Sequence, residues 1–381
     1  MTAAGIVAEY NPFHGGHAHH IAGTRRLLGP DTAMICVMSG NWVQRGDCAV
    51  FDKWTRARAA LEGGADLVLE LPTVWALSSA EGFARGATDV LEASGVVSHL
   101  SFGSECGNVD WLQRVAACLD GPAYRAALLR FLGEGLPFAA CRQRAAGELL
   151  RAELAQLLSR PNNNLGVEYI RALNALKSRI QPITILREGA DHDGGDHPDF
   201  PSASFLRERL RNRGGENTAS LAHCERAILA KLRVMRLADW AKLPDSGEAE
   251  GLPRRLERAG RECTRLEEFY ALAKTKRYAH ARLRRLVLWA FLGLTAEDVP
   301  DAPPYLRVLG LNSRGRELLR EMKSRAAVPV LTKPAHIERL EESARRLFAL
   351  EERCTDLYGL CFETPRPSGW EKRASAAVMQ A

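Results

Sequence analysis

None of the nine cysteines in this 381-residue chain forms a CxxC pair, which disfavours thiolate zinc sites and dithiol redox chemistry. Their odd number and scatter, at positions 36, 48, 106, 118, 141, 224, 263, 354 and 361, read as reduced thiols of a cytosolic protein. No charged and apolar leader precedes the first strand, so no signal peptide is expected. Long apolar runs are missing as well. The stretch Leu286 to Leu294 is far short of the roughly 20 residues that cross a bilayer. No internal repeat is present, and His17 and His20 lack the Glu of an HExxH helix. No metal site of the protein's own, no membrane association and no protein partner are expected.

What is present begins with the segment Gly5 to His20, GIVAEYNPFHGGHAHH. An apolar strand over residues 5–10 runs into a Pro-Phe-His-Gly-Gly-His turn, and a helix is expected from about His17. The end of a parallel strand followed by a helix N-terminus offers backbone N–H groups and a partial positive charge to an anion. Gly15 and Gly16 lack Cβ, so the backbone can turn sharply and approach a phosphate. His14 and His17 bracket the turn and can donate hydrogen bonds to charge that builds on a phosphorus under attack. A polar loop with no ligand is the plain alternative, because short motifs match by chance.

Hydrophobic residues make up 46% of the chain, enough for ordinary cores in two or three domains. Strand and helix signals alternate through the first half. Strands are expected at Thr32 to Met38, Asp66 to Leu71, Ser98 to Phe102 and Ile183 to Leu186, and helices at Lys53 to Glu62 and Ala80 to Ala93. The pattern predicts an α/β fold, a Rossmann-like doubly wound parallel sheet, with an α-helical C-terminal domain. We expect a nucleotide-binding catalytic domain over 1–215, a basic helical domain over 216–365 in which strand signals vanish, and a frayed tail over 366–381.

Other anion partners are expected on the same rim. The loop Ser39 to Asp47 follows the second strand and carries Asn41 and Arg45, and Lys53 and Arg56 open the next helix. Ser202, Ala203 and Ser204 with Arg207 read as a second phosphate-binding helix start. Gly189 to Asp199 reads as a flap over the site or as a solvated loop. The net charge of +6 is concentrated. From Arg254 to Arg285 eleven Arg or Lys stand against four Glu, with Phe269, Tyr270 and Tyr278 interleaved. Such a stretch suits an RNA face, with Arg277, Arg282, Arg284 and Arg285 as candidate tRNA contacts, or a merely solvated helix surface.

The segments AEYNPFHGGH, MSGNWVQRGD, DKWTRARAAL, GADLVLELP, SAEGFARGA, SFGSE, PNNNLGVEYI, ILREGADHD and SASFLR occur in this order. Together with YLRVLGLNSRGRELL and VPVLTKP they resemble the bacterial tRNA(Met) cytidine acetate ligases, a branch of the nucleotidylyltransferases with HxGH-type turns. The resemblance implies that ATP activates acetate as acetyl-adenylate, and that the acetyl group passes to the exocyclic amine of the wobble cytidine of elongator tRNA(Met). It implies ATP binding by Val7, Ala8, Glu9, Tyr10, Asn11, Pro12, Phe13, His14, Gly15, Gly16, His17, Ala18, His19 and His20. Gly103, Asn162 or its neighbour Asn163, Arg187, Ser202 and Ser204 complete the ATP set, and magnesium accompanies the nucleotide. Asn164 departs from the aliphatic residue expected there, and GLPFAACRQR over 135–144 matches only loosely. Two rival functions are a small-molecule adenylyltransferase and an RNA-binding protein of the same fold that has lost the chemistry.

Overall fold

β1 (Ala3–Ala8) is an unbroken apolar run whose side chains alternate between two buried faces. Ala4 and Ile6 join Met34, Cys36 and Met38 in one core, while Ala3 joins Ile35 and Val37 in the other. A strand covered on both faces needs no polar residues, which is why these segments read as continuous hydrophobic runs. The computed structural model describes residues 2–187, 203–247 and 250–379.

The chain continues through α1 (Gly15–Leu28), β2 (Ala33–Ser39), a small antiparallel hairpin of β3 (Trp42–Val43) and β4 (Asp47–Cys48), α2 (Lys53–Glu62) and β5 (Leu67–Leu71). Then come α3 (Thr73–Ala76), α4 (Ala80–Ala93) and β6 (His99–Ser104). A helical stretch follows: α5 (Val109–Asp120), α6 (Pro122–Gly133), α7 (Phe138–Leu149), α8 (Ala152–Gln156) and α9 (Pro161–Leu176). β7 (Gln181–Leu186) and α10 (Ala203–Arg213) close the expected catalytic half.

The strands β5, β2, β1, β6 and β7 lie side by side and parallel in that order. In chain order these are the third, second, first, fourth and fifth parallel strands, so the winding direction reverses between β1 and β6. Right-handed crossovers on either side of that reversal part the connections, leaving a crevice beyond the carboxyl ends of β1 and β6. Gly5 pairs with Ile35 on one side and Leu100 on the other, which fixes the register of the rim.

The second half is mainly helical: α11 (Leu221–Val234), α12 (Leu237–Ala241), α13 (Leu252–Glu262), α14 (Leu266–Ala273) and α15 (His280–Leu292). The expectation that strands cease near residue 220 is corrected by β8 (Leu306–Leu311), which joins the sheet antiparallel to β5, with Leu67 opposite Leu311. LRVLGL is wholly buried, and so short a segment, with Arg307 set among its apolar residues, has no period by which to tell strand from buried helix. After α16 (Ser313–Arg325), β9 (Val330–Leu331) pairs with β8, and α17 (Glu342–Tyr358) packs behind. The segment after Pro365 was expected to fray. Its α18 (Trp370–Arg373) and β10 (Ala377–Val378) are instead docked, with Ala377 paired to Gly310 and the Trp370 ring 4.9 Å from that of Trp54. Its anchors are tertiary partners far back in the chain, which a polar local composition conceals.

Candidate active site

α1 begins at Gly15, two residues earlier than the spacing predicted, because the two histidines cap it reciprocally. His14 is the N-cap, and its Nδ1 accepts from the N–H of Gly16 at 3.1 Å. The His14 N–H in turn donates to Nδ1 of His17 at 3.2 Å. A capping pair of this kind satisfies orphan donors of the first turn and locks both rings. The imidazoles stack at 3.8 Å between centroids. A Cβ on Gly16 would lie 3.0 Å from His14 Cε1, so a side chain there would push the ring away. Phe13 and Tyr10 wedge the pair from behind, their rings 5.5 and 4.8 Å from that of His17.

Burial lowers the pKa of His14 to about 4, with Arg187 and Arg207 adding to the effect. Burial also drives that of His17 well below its ordinary value, and that of His20 to about 4. All three rings are therefore neutral at pH 7. Since both Nδ1 atoms of His14 and His17 accept from backbone, the proton of each ring is assigned to Nε2. Each Nε2–H is then a fixed donor for a ligand in the cavity that both rings line. His20 serves as support, its Nε2 2.9 Å from Ser101 Oγ, which meets Thr24 Oγ1 at 2.7 Å.

The opposite wall is the start of α9. Glu105 caps it: Oε1 accepts from the N–H and Nδ2 of Asn162, and Oε2 accepts from the N–H of Asn163. Asn163 is buried and turns inward to accept from the Cys106 N–H, so of the two neighbours only Asn162 borders the cavity. Asn164 borders it too. At the end of β6, Gly103 lies beneath Arg187, whose N–H donates to the Ser104 carbonyl. On α10, Arg207 donates to the Asn11 carbonyl at 2.9 Å and to Ser204 Oγ at 2.9 Å, tying the helix to the histidine turn. Ser202 and the segment Gly189 to Asp199 lie outside the described residues.

These walls enclose a cavity of about 440 Å³ at the reversal between β1 and β6. Val7, Ala8, Glu9, Tyr10, Asn11, His14, Gly16, His17, His20, Gly103, Asn162, Arg187 and Ser204 all line it. Pro12, Phe13, Gly15, Ala18 and His19 stand outside the lining, where Phe13 packs against Gly63 at the end of α2. The charged lining residues are Arg45, Arg187 and Arg207 against Glu9. That excess of cations with neutral donors suits a polyanion. Sequence reasoning missed the apolar wall of Phe83, Phe102, Leu165 and Tyr169. These residues sit inside helices or a strand, where an aromatic reads as core.

Several expected anion partners are engaged elsewhere. Asn41 is buried, accepting from the Lys53 N–H and donating to Thr355 Oγ1. Lys53 is sealed between Glu70 and Glu371, each at 2.6 Å. Arg56 spends its guanidinium on the carbonyls of Glu9, Ser39, Gly40 and Phe51 and so fixes the rim. The expectation that the charge on α15 is free for phosphates is also corrected. Arg282 pairs with Glu250 at 3.2 Å, Arg284 lies 3.7 Å from Asp47, and Arg285 donates to the Gln44 carbonyl. Gly46, at φ 74°, lets the loop press on the backbone of Arg284 and Arg285, where a Cβ would come within 2.6 Å. Arg277 is exposed, as are Arg254, Arg255, Arg258, Arg261, Arg265, Lys274 and Lys276. The exposed basic face therefore lies on α13, where Arg258 and Arg261 pair with Glu262 and Glu257, on Arg265 just before α14, and on the segment from Lys274 to Arg277.

No helix among the described residues is long and apolar enough to cross a membrane. Among known proteins, the family model for the HIGH nucleotidyl transferases matches residues 1–229 and 216–372. A tRNA(Met) cytidine acetate ligase of Caldanaerobacter subterraneus subsp. tengcongensis is 35% identical over 388 residues, covering 95% of this chain and 96% of the relative. One of Acetivibrio thermocellus is 32% identical and covers all of both chains. The crystal structure of apo Thermotoga maritima TmcAL superposes with a TM-score of 0.94 at 31% identity over the whole of both chains. The form of that protein bound with alpha-thio ATP superposes with a TM-score of 0.91.

Proposed function

The chain belongs to the tRNA(Met) cytidine acetate ligases within the HIGH nucleotidyl transferase family, and from that premise we propose how its own residues carry out the reaction. It is an ATP-dependent tRNA-modifying ligase. It activates acetate as acetyl-adenylate with release of pyrophosphate, then acetylates the exocyclic amine of the wobble cytidine of elongator tRNA(Met).

The observation that carries the assignment is the pair of neutral, backbone-locked imidazoles at the mouth of β1. When an acetate oxygen attacks the α-phosphorus, negative charge grows on the non-bridging oxygens and on the leaving pyrophosphate. The Nε2–H groups of His14 and His17 are oriented before the reaction and donate to that charge without reorganisation. Arg207, Ser204 and Arg45 on the same wall suit the outer phosphates, and Gly103, Asn162 and Arg187 suit the nucleoside end. Among the described residues no group of three or more His, Cys, Asp or Glu is placed to hold a metal ion. Magnesium is taken to accompany ATP, held by its phosphates. The second step requires the cytidine to leave its stack so that N4 reaches the mixed anhydride.

We keep residues 1–215 as the nucleotide half and 216–365 as the tRNA-holding half by function, although β8 of the second half completes the sheet. The tRNA face is assigned to the exposed bases of α13, to Arg265 and to the Lys274 to Arg277 segment. Arg284 and Arg285 couple it to the rim. A cytoplasmic setting agrees with nine unbridged thiols. Incubation with ATP, magnesium, labelled acetate and total tRNA, followed by nucleoside analysis, tests the whole reading. Label in acetylcytidine that depends on ATP is the expected result. Nucleotide turnover without labelled RNA would point to a small-molecule adenylyltransferase, and tRNA binding without turnover to an inactive binder.

A further inference from the structure

Among the described residues that line the cavity, Glu9 is the one carboxylate. It follows the last residue of β1 on the way into the histidine turn, and it is held from several sides. Its Oε1 accepts from the Gln44 N–H at 2.8 Å, and its own carbonyl accepts from Arg56. Arg207 from α10 and Tyr169 from α9 face it across the cavity. For ATP binding alone this residue is misplaced. A carboxylate in a cavity that takes a triphosphate and an acetate repels both, and removing it would strengthen the field that attracts them.

The hydrogen-bonding inventory suggests what it is for. The side-chain groups that suit the anions are donors: the Nε2–H of His14 and His17 and the guanidiniums of Arg45 and Arg207. An ionised carboxylate only accepts, through two oxygens with about four lone-pair sites. Gln44 uses one of these. At the reacting centre the phosphates and acetate are acceptors, and the cytidine N4 amine is the donor. Glutamate accepting from cytosine N4 is an established base-reading contact, and a uracil O4 in its place would meet a repelling oxygen. The adenine amine is the other donor in the reaction. Its end of the cavity is the Gly103, Asn162 and Arg187 wall, whereas Glu9 stands on the Gln44 side.

Resting on the ligase reading above, we infer that Glu9 is a catalytic residue of the second step, accepting a hydrogen bond from cytidine N4 and taking its proton during acyl transfer. The N4 lone pair attacks the acetyl carbonyl carbon, and the new N–C bond forms as the C–O bond to the adenylate breaks. The electron pair leaves with AMP. The N4 proton passes to the Glu9 carboxylate and from there to water. Such a base also selects cytidine over uridine at the point of transfer.

Glu9→Gln tests this directly, since the amide oxygen still accepts from the Gln44 N–H but takes no proton. Activation is read by acetate-dependent exchange of pyrophosphate into ATP, with and without tRNA. Transfer is read by a single turnover of labelled acetate into tRNA. The expected result is transfer slowed by about 100-fold or more, the usual loss for a general base, and at least about 30-fold more than any change in exchange. Glu9→Asp, which keeps the carboxylate, should recover part of the transfer and guards against a misfolded Gln variant. Equal loss of both steps would overturn the inference, as would a raised requirement for ATP, because Glu9 would then hold the nucleotide, its base or its metal. Transfer at the wild-type rate in Glu9→Gln would also overturn it. A wild-type protein that gives neither exchange nor acetylcytidine overturns the ligase reading itself, and this inference with it.

Discussion

The histidine turn and the cluster around Lys53 both withdraw polar groups from water, and they are balanced in opposite ways. At the turn, burial strips the imidazoles of charge, backbone groups occupy their Nδ1 atoms, and the Nε2–H donors face a cavity. Lys53, Glu70, Glu351 and Glu371 are buried and stand outside the lining of that cavity. Burial opposes the ammonium, but Glu371, Glu70 and Glu351 outweigh it and raise its pKa. Burial in turn raises the pKa of Glu351 to about 8, and its carboxyl meets the N–H and hydroxyl of Thr73. Arg307 lies 3.8 Å from Glu371 on the far side. One cluster keeps donors in reserve for a ligand that arrives charged. The other matches charges within itself and joins α2 and β5 to β8, α17 and α18. Preorganisation for chemistry and attachment of the C-terminal half thus use the same residue classes, separated by whether the cluster is closed.

The largest expected effect breaks the closed cluster. Lys53→Ala leaves Glu70 and Glu371 buried without a cation, which should cost about 3–5 kcal/mol of stability. Denaturant unfolding measures it, and activity per folded molecule should stay near that of wild type. An active-site function for Lys53 would instead show as lost turnover at unchanged stability.

Next comes the open cluster. His17→Ala removes one donor to the transition state and should slow acetate-dependent pyrophosphate exchange by about 100- to 1000-fold, or about 3–4 kcal/mol. Its effect on tRNA affinity should be small. Loss of tRNA binding in equal measure would mean that the turn shapes the protein rather than the reaction.

The two clusters also differ in how far they could be read in advance. The turn was legible because its chemistry is local: two histidines three residues apart, glycines between them and a strand before them suffice to mark an anion site. The parallel sheet was legible for the same reason, since each strand announces itself by its own apolar run. The Lys53 cluster was misread as part of the rim because its counter-charges arrive from β5, α17 and α18, and no local pattern reports partners on other elements. The docked tail and β8 escaped for that reason too. The reciprocal histidine cap lay between. The residues were visible, but which ring nitrogen faces the ligand depends on hydrogen bonds that only the folded turn defines.

A smaller effect follows from pH. The folded-state pKa values of His14 and His20 lie near 4, below the ordinary value of 6.5 that an unfolded chain approaches. Their contribution to stability is therefore complete above pH 6.5 and is lost as pH falls towards 4. The melting temperature of the ligand-free protein should drop through that window. His14→Gln should flatten the slope, and ATP should flatten it too, because its phosphates favour the protonated ring. A slope unchanged by ATP would detach the histidines from the nucleotide.

The smallest effect concerns the outer face, where neither kind of balance operates. Lys276 and Arg277 are exposed on the segment that leads into α15, while Arg284 and Arg285 behind them hold the rim loop. Exposed cations contribute to RNA binding by releasing counter-ions, so each acts nearly independently and is weakened by salt. The double variant K276E/R277E should reduce tRNA affinity by about tenfold at low salt and make its logarithm fall less steeply with salt, leaving acetate-dependent pyrophosphate exchange intact. Arg284→Glu should behave otherwise, because it places a second carboxylate beside Asp47 and disturbs Gln44 and Arg45 at the cavity edge. Exchange and tRNA binding should then fall together. If K276E/R277E instead impaired exchange, the basic face would be continuous with the ATP cavity, and the division between holding tRNA and activating acetate would have to be redrawn on α15 itself.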